Sequence, residues 1–142
     1  MKTRNLIILS ICCGLIILLA GGLKLFQVAT DRAEVPVNEL GTSATIGDMT
    51  ATVIAMNESD QGISVAIEMS GVAGELVIDG WRLLGDGKVF EPSAAVYDGA
   101  CDAMTEVPDA KASVQCFLRF SSVAAVQAVA YTRAGEQRQW AP

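Results

Sequence analysis

The chain has 142 residues, a formal net charge of −6 and no histidine, which excludes Ser/His and Cys/His catalytic triads and every metal site that needs imidazole. All 16 acidic residues lie beyond Lys24 with only seven of the ten basic ones, a net charge of −9 that repels phosphate backbones and anionic headgroups and disfavours nucleic-acid partners. The remaining length allows one apolar segment and one domain with a small core, the size at which a disulfide helps.

Residues 6–23, LIILSICCGLIILLAGGL, are eighteen residues without a charge. As a helix they cover roughly 27 Å, close to the ~30 Å hydrocarbon core of a bilayer. Leu25 and Phe26 lengthen the run, and Lys24 can snorkel. The reading is residues 1–5 as a cytoplasmic N-terminus, 6–26 as a transmembrane anchor, 27–41 as a linker and 42–142 as an extracytoplasmic domain. A cleaved signal peptide is the rival, with Ala20 and Gly22 at −3 and −1 of the cut. The apolar residues beyond that point favour the uncleaved anchor. Lys2 and Arg4 on the N-terminal side orient it N-in, C-out. Ile11 and Cys12 precede Cys13, a poor match to a lipoprotein cleavage site, so the two thiols read as small packing residues.

Within the linker, Val35 and Val37 suit an edge strand. From Thr42 the pattern is β. Residues 49–57, the turn cluster at 57–62 and the alternation Ile63, Val65, Ile67, Met69 predict an antiparallel hairpin, with Asn57-Glu58-Ser59 as a sequon in its turn. Leu76, Val77 and Ile78 resume the strand pattern after Gly71 and Gly74. Residues 81–84 and 88–91 form a second hairpin about Gly85-Asp86-Gly87, and 94–97 a short strand. Residues 98–111 are a loop by composition. Val114, Cys116, Leu118 and Phe120 alternate inward. Residues 121–125 predict one helical turn capped by Ser122. Residues 126–133 and 136–140 close the fold as a hairpin about Ala134-Gly135. Seven or eight short strands without a long soluble helix define an all-β, antiparallel, immunoglobulin-like β-sandwich behind one N-terminal helix.

Cys101 and Cys116 are the only thiols outside the apolar run, and an exported domain would pair them as a disulfide. Asp98, Asp102, Glu106 and Asp109 share one loop and offer oxygen ligands to a hard cation such as Ca²⁺, although their spacing fits no EF-hand. No cofactor motif is present. Lys88 and Lys111 are the only lysines beyond the apolar run, and neither sits in a catalytic motif.

The segments ATIGDMT at 44–50, the alternating strand 62–70, WRLLGDGKVF at 81–90 and CFLRF at 116–120, followed by residues 128–131, resemble the telokin-like, immunoglobulin-fold domains of bacterial surface lipoproteins and membrane-anchored proteins. The resemblance spans roughly residues 42–140. It implies a bacterial envelope location and a sandwich fold, and it carries no catalytic residue. The chain departs from it in lacking a lipobox cysteine and in its glycine-rich residues 71–80. The expected function is a non-catalytic binding module of the cell envelope, held by the lipid bilayer and facing another envelope or surface protein. The alternative is a small-ligand or cation-binding protein that uses the acidic loop.

Overall fold

The computed structural model describes residues 3–30, 34–94 and 97–142. The chain divides into two compact units, Met1–Glu34 and Val35–Pro142. The first is a single helix, α1 (Thr3–Thr30), of which Thr3–Gln27 is long and apolar enough to cross a membrane. It has no polar face: Leu6, Ile7, Ile8 and Leu9 point in four directions around the axis and are all exposed. The helix therefore runs a turn further at its N-terminal end than the charge-free stretch alone indicates.

Among the described residues the second unit holds nine strands: β1 (Val37–Glu39), β2 (Ser43–Ile46), β3 (Met49–Ser59), β4 (Gly62–Ser70), β5 (Trp81–Gly85), β6 (Lys88–Phe90), β7 (Val114–Phe120), β8 (Val126–Arg133) and β9 (Glu136–Ala141). They form two sheets, ordered β1-β9-β8-β5-β6 and β2-β3-β4-β7. All neighbours are antiparallel except β1 and β9, which run parallel in the register Val37↔Gln139 to Glu39↔Ala141. The immunoglobulin-like β-sandwich expected from the strand pattern is present, and residues 35–41 of the expected linker belong to it.

The core follows from strand alternation. Ile63, Val65, Ile67 and Met69 of β4 are all buried, as are Leu118 and Phe120 of β7. Trp81, Leu83, Val129, Tyr131 and Trp140 meet them from the other sheet. Each such side chain, taken out of water, contributes about 1.5–3 kcal/mol. Trp81 stands at the centre, 4.9 Å from the Tyr131 ring and 5.8 Å from Trp140 between centroids. Both indole N–H groups are satisfied: Trp81 donates to the Met69 thioether at 3.2 Å and Trp140 to the Thr42 carbonyl at 2.8 Å.

Three local expectations are corrected. Residues 76–78 form no strand. Positive φ at Gly71, Gly74 and Gly80 curls the segment into turns. Its backbone instead pairs with the acidic loop: Gly74 N donates to Val107 O, Val77 N to Thr105 O, and Val107 N to Glu75 O. Residues 121–125 form no helical turn, because the Ala124 and Ala125 amides donate to the Asp86 carboxylate at 2.8 and 3.0 Å. Asn57-Glu58-Ser59 is strand rather than turn, since β3 extends to Ser59 and the hairpin turns at Asp60-Gln61. The short strand expected at 94–97 includes residues 95 and 96, which lie outside the described residues.

Candidate functional site

Strand β7 lies at the edge of the four-stranded sheet, and an uncovered edge exposes unpaired backbone groups. Ser93 and residues 99–101 cover it. Ser93 N donates to Arg119 O at 2.7 Å, Phe117 N to Gly99 O at 2.9 Å, and Cys101 N to Phe117 O at 2.9 Å. The Cys101–Cys116 disulfide fastens this cover, with Cα atoms 5.2 Å apart and both residues buried.

The acidic loop does not assemble a cation site. Asp102 is engaged in its own turn, where its carboxylate accepts from Met104 N at 2.8 Å and Thr105 Oγ1 at 2.9 Å. These bonds hold its carboxyl below the ordinary 3.8, with the Met104 amide the largest cause. Asp98 sits in the turn closed by Ala100 N on Tyr97 O. Glu106 pairs through its backbone with Leu76, and the Asp109 carbonyl accepts from Ala112 N. Asp98, Asp102 and Asp109 therefore belong to three different turns, and Glu106 to a backbone bridge. Among the described residues no group of three or more His, Cys, Asp or Glu is placed to hold a metal ion.

A different site lies at the Phe120 end of β7. A cleft of about 440 Å³ is lined by Gln61, Ser93, Tyr97, Arg119, Phe120 and Ser121. Three segments meet there. The β3–β4 turn brings Gln61 close because Gly62, at φ +125°, packs against the end of β7. A Cβ at Gly62 would stand 2.3 Å from the Phe120 carbonyl oxygen. The β4–β7 register, Ile63↔Phe120 and Ser64↔Arg119, fixes that approach. The cover segment adds Ser93 through its bridge to Arg119, and Tyr97, whose hydroxyl donates to Phe117 O at 3.4 Å.

Arg119 is the charged member. Its guanidinium carbon stands 4.6 Å from the centroid of the Tyr97 ring, a cation–π contact. Its Nε–H is buried without a hydrogen-bond partner among the described residues, at a cost of about 1–3 kcal/mol for such a group. The other ion pairs lie elsewhere: Arg82 meets Glu91, and Arg133 meets Asp48 and Glu75. The Arg133 cluster joins the end of β8 to the β2–β3 turn and to the glycine-rich segment. The Asp48 carboxyl is held below 3.8 chiefly by its hydrogen bond from Arg133, whose own pKa is raised by the same carboxylate. Nearby, burial pushes the Tyr131 hydroxyl above its ordinary value of 10.

Sequence reading placed Arg119 on the face of β7 opposite the core, and the structure puts it there. It did not single out Gln61, Ser93 or Tyr97, which are distant in sequence and meet only through the fold. The one signal available was an arginine alternating with buried residues on a strand.

By architecture and site this is an immunoglobulin-like β-sandwich with an open polar cleft at one end, attached to an apolar helix. Among solved structures it is similar to MPT63, a secreted protein from Mycobacterium tuberculosis, at 12% identity over 78% of this chain and 99% of that chain, with a TM-score of 0.60. That likeness concerns the fold. No family model and no curated protein matches the chain.

Proposed function

We propose that this chain is a non-catalytic binding module of the bacterial cell envelope, anchored by α1 with its β-sandwich on the extracytoplasmic side. The observation that carries this reading is the division of the chain into an apolar helix of 28 residues and a separate disulfide-stapled sandwich. A helix apolar on every side is matched to lipid, and a structural disulfide is matched to an oxidising compartment. The absence of histidine and the resemblance to telokin-like envelope domains support a binding role over catalysis. The partner is another envelope or surface protein, engaged through the loops or an exposed sheet edge.

Crosslinking in intact cells, followed by membrane fractionation and intact-mass analysis, tests this. The expected outcome is a membrane-pelleted chain of full mass with a crosslinked envelope protein. A mature chain short of its first twenty or so residues overturns the anchor and leaves a secreted module. A full-length chain with no adduct from crosslinkers of several lengths overturns the protein-partner role.

A further inference from the structure

We infer that the Arg119–Tyr97 cleft binds a small, hydroxyl-bearing organic anion of about monosaccharide size through its carboxylate or phosphate group. The inference rests on the binding-module reading and names a ligand class for it.

Three observations converge. First, the guanidinium is charged and in place but uncompensated. Tyr97 supports it from one side, its Nε–H lacks a partner, and among the described residues no carboxylate pairs with it. The nearest acids in sequence to the lining residues, Asp60 and Asp98, are exposed and form no ion pair with it. Among the described residues of the sandwich, Arg82 and Arg133 meet carboxylates, whereas Arg119 meets none and keeps its Nε–H buried and unpaired. A planar guanidinium donates to carboxylate or phosphate oxygens with two parallel N–H groups.

Second, among the described residues the rest of the lining is uncharged and mixed. Ser93 and Ser121 offer hydroxyls, Gln61 offers both an amide donor and a carbonyl acceptor, and Tyr97 and Phe120 add apolar surface. Such a wall suits a ligand that carries hydroxyl groups on a carbon ring.

Third, a volume of about 440 Å³ is too large for a bare inorganic anion and falls within the range of small-molecule sites, ~300–1,000 Å³. The site is also anchored on rigid elements. The β7 backbone holds Arg119, the Ser93 bridge and the disulfide hold the cover, and the tight turn at Gly62 holds Gln61.

The test uses the full-length chain in nanodiscs of zwitterionic lipid, titrated with glucuronate, glucose 6-phosphate and, as the neutral control, glucose. Saturable binding of at least one anion, with none of glucose, is expected, and the two anions separate a carboxylate from a phosphate preference. Arg119→Gln should weaken that binding at least about tenfold, and Arg119→Lys by less. The Arg119 Nε–H resonance of the unmodified protein should shift on ligand addition, a readout independent of whether the variants fold. No saturable binding of either anion up to about 10 mM overturns the inference. So does equal affinity in Arg119→Gln, or binding of glucose as tight as that of the anions. Failure here is separable from failure of the envelope-partner reading. A crosslinked partner on the unmodified chain with neither anion bound removes this site alone, whereas anion binding without any crosslinked partner removes the protein partner alone.

Discussion

Asp48 shows how one side chain ties acidity to stability. Its folded pKa lies below the ordinary 3.8 because Arg133 hydrogen-bonds to the charged form. The unfolded chain therefore takes up a proton first as pH falls. This contribution is present above the unfolded pKa and is lost as pH drops through the folded value. Asp102 carries the same sign through its turn. Melting temperatures should fall below about pH 4, and Asp48→Asn should flatten that slope while melting lower than the parent at neutral pH. A parallel acid profile in the variant would count against the Arg133 pairing. At the centre of the core, Trp81→Ala removes a fully buried ring and should cost about 3–5 kcal/mol in denaturant unfolding, with Trp81→Phe costing less.

Hairpins and loops are where sequence and structure part company. The strands with strict alternation, β4 and β7, were legible because burial on one face leaves a period of two. The hairpins about Gly85-Asp86-Gly87 and Ala134-Gly135 were legible because each carries a glycine, Gly87 or Gly135, at positive φ, although the residue before each, Asp86 or Ala134, shares that conformation and Gly85 does not. Residues 76–78 misled because an apolar triplet reads as a strand whether its carbonyls meet a neighbouring strand or, as here, a distant loop. Residues 121–125 misled because the group that binds their amides, Asp86, sits 38 residues away from Ala124 in sequence. The acidic loop misled because four acids in one stretch look like a ligand set, whereas the chain carries Asp98, Asp102 and Asp109 into separate turns and Glu106 into a bridge with Leu76. Two glycines separate conformation from space. Gly87, at φ +68° with open surroundings, should lose about 1 kcal/mol on mutation to alanine. Gly62→Ala should lose more, because the new Cβ meets the Phe120 carbonyl, and denaturant midpoints of the two variants rank them directly. Reduction of Cys101–Cys116, which closes a separation of 15 residues, should cost about 3 kcal/mol, read as a fall of roughly 10–20 °C in Tm.

Taken whole, the molecule couples a lipid-matched helix to a sandwich whose far-apart segments meet at one cleft. The fold class was open to sequence reading because turns recur at short intervals and no long amphipathic helix interrupts them. The cleft was not, because its three contributing segments lie between Gln61 and Ser121 and are joined only by register. The arrangement of β1 against β9 has a mechanical meaning. When the chain is held by its helix and loaded through the sandwich, tension enters along the axis of β1. The β1–β9 hydrogen bonds run across that axis and must break together in shear, instead of one at a time as in a peeled hairpin. The additional bond from Gln139 N to Pro36 O lengthens the clamp at the point of entry. Pulled from its N-terminus, the domain should resist at β1 before any other strand yields, and Asn38→Pro, which removes the β1 amide that this register aims at the Gln139 carbonyl, should lower the force of the first rupture in single-molecule stretching.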